Sequence, residues 1–93
     1  MGKTEKRGVE LKVLVSHEEG DRFADSLVDY AESHGLLVGG GISPLAGTAS
    51  WHGEYVVELG NPSLAQPRRA ELIQWLQSNP AVIEHTVGNV IPL

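Results

Sequence analysis

The chain reads as an α+β sandwich, and three observations predict it. Apolar and polar residues alternate over residues 9–16 and again over 51–59, the two-residue period of a half-buried strand. A period near 3.6 runs through residues 21–34 and returns after Pro67, the mark of helices that bury one stripe. Between these lies Gly39-Gly40-Gly41, a place where backbone needs freedom or close approach.

Each element follows in order. Residues 1–8 are polar, contain two glycines and read as a flexible arm. In residues 9–16, Val9, Leu11, Val13 and Val15 share one face, with Glu10, Lys12 and Ser16 on the other. Residues 17–20 form a short turn. The first helix, residues 21–34, carries Phe23, Leu27, Tyr30, Ala31 and His34 on one stripe. Asp21, Asp25, Asp29 and Glu32 face water, and Asp21 complements the helix dipole. Gly35 is a natural stop. Residues 36–40 make a short second strand that ends in glycines, and residues 42–50, with Pro44, Gly47, Thr48 and Ser50, make a loop.

Residues 51–59 are the clearest strand. Trp51, Gly53, Tyr55, Val57 and Leu59 point to the core, and His52, Glu54, Val56 and Glu58 point away. Gly60-Asn61-Pro62 breaks it. A second helix could begin at Ser63, with Gln66 completing a capping box. Pro67 as first helical residue is the better start, because a proline four residues after a cap clashes with the cap carbonyl. Leu72, Ile73 and Leu76 form its buried stripe, Trp75 sits at the edge, and Asn79-Pro80 ends it. Residues 82–91 form the last strand, bent at Gly88-Asn89. The order β-α-β-β-α-β is the split βαβ, or ferredoxin-like, arrangement. It predicts a four-stranded antiparallel sheet with two helices on one face and the other face open to a partner.

Bulk properties narrow the function classes. Ninety-three residues make one domain, spanning residues 9–93 beyond the arm. No apolar run reaches membrane-spanning length, and no secretory leader is expected. Cysteine is absent, which excludes disulfides and thiolate metal sites and fits a cytoplasmic protein. The formal charge of −5 gives no global basic footprint for nucleic acid. Basic residues are few: Lys3, Lys6 and Arg7 in the arm, Lys12, Arg22, and the adjacent Arg68 and Arg69.

Candidate chemistry is sparse. Gly39, Gly40 and Gly41 are not followed by a helix or a Lys-Ser/Thr pair, so a flattened or bulged strand outweighs a phosphate loop. His17, His34, His52 and His85 show no ligand spacing, and neither a metal nor a cofactor is expected. Ser50 and His52 share a face, yet no third orienting group accompanies them. Trp51 and Tyr55 could stack on bases, but their face also carries Val57 and Leu59 and reads as core. Arg68-Arg69 reads as solvated surface able to touch a phosphate. No enzyme is expected.

Three segments together resemble the YggL family, small bacterial proteins that bind the 50S ribosomal subunit. They are the helix end and glycine strand over residues 30–41, the W-x-G strand Trp51-His52-Gly53-Glu54-Tyr55-Val56, and residues 69–76 followed by Pro80-Ala81-Val82. The likeness spans roughly residues 9–92, and the arm is less basic than is usual in that family. The resemblance implies a non-enzymatic cytoplasmic protein docked on the large ribosomal subunit. Lys3, Lys6, Arg7, Arg68 and Arg69 would then meet RNA phosphate. The sheet or Gly39–Gly41 would meet RNA or a ribosomal protein. The alternative is a small ligand-binding or regulatory module that self-associates through its sheet or glycine segment.

Overall fold

The computed structural model describes residues 6–93, so Lys3 lies outside the described residues. The elements are β1 (Arg7–Ser16), a 3₁₀ turn (His17–Glu19), α1 (Gly20–Ser33), β2 (Leu37–Pro44), β3 (Ser50–Gly60), α2 (Pro62–Ser78), β4 (Val82–Val87) and β5 (Ile91–Pro92). Among the described residues this is a mixed α+β structure with two α-helices and one antiparallel sheet. The strand order is β2-β3-β1-β4, and β5 pairs with β1 beyond the end of β4.

The expected alternation holds along β1 and β3. Val9, Leu11, Val13 and Val15 are buried, and so are Tyr55, Val57 and Leu59 of the adjacent strand. Phe23, Leu27 and Ala31 of α1 and Leu72 and Leu76 of α2 close over them. Each large aliphatic or aromatic side chain so buried contributes about 1.5–3 kcal/mol before entropy is charged against it. The two helices are joined by rings. Trp75 stacks on Tyr30 at 4.9 Å between centroids and tilts against Phe23 at 5.9 Å, while His34 stacks on Tyr30 at 4.2 Å. His34 itself is exposed, outside the core that its place on the stripe suggests.

Four boundaries differ from expectation, each for a physical reason. First, β1 begins at Arg7, inside the anticipated arm, because Arg7 and Gly8 pair with Pro92 and Ile91 on one side and with Gly60 and Glu58 on the other. Second, β2 runs on to Pro44, so the three glycines are inside the strand and the loop shrinks to residues 45–49. Pairing to β3 as far as Pro44↔Trp51 holds that backbone extended despite its weak strand propensity.

Third, α2 begins at Pro62, with Pro67 inside it. The cap is Asn61, whose side chain accepts from the Leu64 amide at 3.2 Å, and Pro62 sits next in line where no amide is needed. The helix thus starts well before Pro67 and tolerates that proline in its second turn, contrary to the expectation that its clash with a cap carbonyl four residues back makes Pro67 the first helical residue. Fourth, the last strand breaks at residues 88–90, so the sheet has five strands instead of four. Gly88 leaves the β4 ladder but still donates to the Glu10 carbonyl at 2.8 Å.

Candidate docking surface

Both helices lie on one side of the sheet, which leaves the opposite face uncovered. Its geometry follows from alternation and register. One row across the sheet is Gly39, Val56, Glu10. The next is Gly41, Glu54, Lys12, Thr86, and the third is Ser43, His52, Leu14, Glu84. Neighbours in a row stand about 4.5–5.5 Å apart at Cα.

The face is acidic. Glu10, Glu54, Glu58 and Glu84 project from three strands, against Lys12 within the face and Lys6 at its rim. Lys6 Nζ lies 3.2 Å from Glu58 Oε1, and His52 Nδ1 lies 3.7 Å from Glu54 Oε2. Val56 stands 43% exposed among these charges. A shallow groove of about 390 Å³ runs past Glu10, Lys12, Gly39, Gly40, Glu54 and Val56. It is an open trough, suited to a side chain or an extended segment and too shallow to enclose a small ligand.

The three glycines play different parts. Gly40 has φ of +136°, and a Cβ there would collide with the Glu54 carbonyl and the backbone of Tyr55. On the helix side, the Tyr55 ring roofs both Gly40 and Gly53. At Gly39 and Gly41 a Cβ would meet nothing within 4 Å. Those two leave bare backbone on the open face without any need of the fold.

Tyr55 pays a cost for its position. Its hydroxyl is buried and has no hydrogen-bond partner among the described residues, and burial pushes its pKa above the ordinary value. Tyr30 is shifted the same way, by burial first and the Glu71 carboxylate second. At the far end of β3, Trp51 Nε1 donates to His17 Nδ1 at 2.7 Å, and its ring lies where a Cβ on Gly20 would sit. That contact ties the 3₁₀ turn to the sheet and requires His17 to keep a lone pair on Nδ1.

Among the described residues, the basic side chains expected to meet RNA, Lys6, Arg7, Arg68 and Arg69, do not converge. Lys6 is paired with Glu58, and Arg7 is half-buried in β1. Arg68 turns inward and donates from Nη1 to the Leu59 carbonyl at 2.9 Å. Arg69 donates from Nε to the Gly88 carbonyl at 2.8 Å and from Nη2 to the Val87 carbonyl at 3.0 Å. Together they fasten α2 to the ends of β3 and β4. The sequence shows two adjacent cations near a helix start. It gives no sign that both would satisfy carbonyls orphaned where strands end.

The acidic face itself was only half visible. Alternation puts Glu54, Val56 and Glu58 on one side of β3 and Glu10 and Lys12 on one side of β1. Only the register brings Gly39, Val56 and Glu10 into one row. Among the described residues no group of three or more His, Asp or Glu is placed to hold a metal ion. No helix among them is long and apolar enough to cross a membrane. No protein-family model matches the sequence, and no curated protein matches it.

Proposed function

We propose that this chain is a non-enzymatic docking protein of the cytoplasm that associates with the large ribosomal subunit, as the resemblance to the YggL family implies. The observation that carries the reading is the uncovered sheet face with its groove beside Glu10 and Glu54. We read the β2-β3-β1-β4 order as a ferredoxin-like sheet with β5 as an appendage. Two of the resembling segments lie side by side in it, Gly40 opposite Tyr55 and Ile42 opposite Gly53.

Charge favours one kind of contact. Carboxylates on an open face repel phosphate and attract lysine and arginine. The face therefore docks on a basic segment of a ribosomal protein, with Lys6 and Arg7 at the rim nearest any RNA. Arg68 and Arg69 hold the fold together and leave RNA contact to others.

The test is sedimentation of tagged protein with bacterial lysate through sucrose gradients at low and moderate salt. Co-migration with the large subunit that fades as salt rises is expected, because the contact is between opposite charges. Protein that stays at the top at low salt would overturn the reading.

A further inference from the structure

The two edges of the sheet are built differently. At one end β4 is short, carries Glu84 and His85, and is interrupted by a bulge opposite Leu14 and Val15. Such features discourage pairing with another strand. At the other end β2 is eight residues long, pairs only with β3 among the described residues, and contains no ionisable side chain. Its pairing to β3 shows no bulge. Leu37 stands 64% exposed upon it. A long neutral edge of this kind is a template for one more strand.

We propose that this strand is supplied by a second copy of the chain, β2 running antiparallel to β2 about a two-fold axis through Gly40. The strand's own sequence is the reason. Val38-Gly39-Gly40-Gly41-Ile42 is symmetric in side-chain size about Gly40. A two-fold at Gly40 sets Val38 against Ile42 of the second copy on the helix side, and Gly39 against its Gly41 on the open side. Val38 and Ile42 are each only half-buried at the margin of the core, so this contact extends the core across the axis. The bare backbone at Gly39 and Gly41 gives no clash in that register.

α1 agrees with this choice of partner. It lies against β2, and its Tyr30 flank faces α2 through the Trp75 stack. Helical spacing puts Val28 on the flank away from Tyr30, and it is 45% exposed. The two-fold brings Val28 of each copy toward the other's α1. The copies each carry a net charge of −5, so their association strengthens as salt screens the repulsion. A basic peptide added to the same edge would show the opposite salt response. The inference does not rest on ribosome docking, although Gly39 and Gly40 at the two-fold also line the groove of the sheet face.

Sedimentation equilibrium over a concentration series, at low and high salt, is the first arm of the test. A dimer that tightens with salt is expected. Leu37→Lys with Gly41→Lys, both at exposed positions, should weaken it about tenfold or more, because the introduced charges become diagonal neighbours across the axis. The second arm reads the register. The chain has no cysteine, so Gly39→Cys and Gly41→Cys proteins can be mixed and oxidised. Neither substitution meets a neighbour within 4 Å, so both proteins should fold. The mixture should form the mixed disulfide dimer in preference to either homodimer. A monomer at every concentration, or cross-linking with no preference for the mixed pair, overturns the proposal.

Discussion

Tyr55 concentrates the conflict between burial and polarity. Its ring covers two glycines, while its hydroxyl sits buried and unpartnered. Tyr55→Phe keeps the ring and removes the stranded group, so it should stabilise the fold by about 1 kcal/mol in urea denaturation. The pH dependence has a definite sign. A tyrosine whose folded pKa is raised contributes stability in full below the unfolded value near ~10, and that contribution falls as pH rises through it. Alkaline unfolding should therefore set in later for Tyr55→Phe than for the parent. The glycines separate in a second comparison. Gly40→Ala forces a Cβ into backbone at φ +136° and should cost more than about 2 kcal/mol. Gly41→Ala should be neutral or stabilising by up to about 1 kcal/mol, since its Cβ has open space and strands disfavour glycine.

Among the elements, α2 is the least legible and the most instructive. Leu72 and Leu76 are buried as their spacing requires. The helix start, however, was decided by a competition that spacing cannot weigh. Asn61 and Pro62 make a strong beginning, and they outweigh the hydrogen bond that Pro67 removes one turn later. The far end of the sheet was hidden for another reason. Gly88-Asn89 signals a bend, but the break into β4 and β5 depends on Arg69 taking up the Val87 and Gly88 carbonyls from a helix far away in sequence. By contrast, β1 and β3 were legible almost residue by residue, because each has one wet face and one dry face. Arg69→Met keeps the aliphatic stem and removes the donors. It should destabilise by about 1–3 kcal/mol in thermal or urea unfolding, with early loss of amide-exchange protection at Gly88.

For the whole molecule, one uncovered face and one unguarded edge are the features with consequences. The face is acidic and the edge is neutral, so salt should move their two associations in opposite directions. The acidic face could be drawn strand by strand from the sequence, but its rows required the register, which no local signal specifies. Docking through the acidic face is tested by co-sedimentation with purified large ribosomal subunits, comparing the parent chain with Glu10→Lys/Glu54→Lys across a salt series. Both substitutions lie at exposed positions, so the fold should persist, as circular dichroism would check. The parent should bind at low salt and release as salt rises, and the double variant should be absent from the subunit fraction. A parent that never co-sediments, or a double variant that binds as the parent does, would contradict that docking.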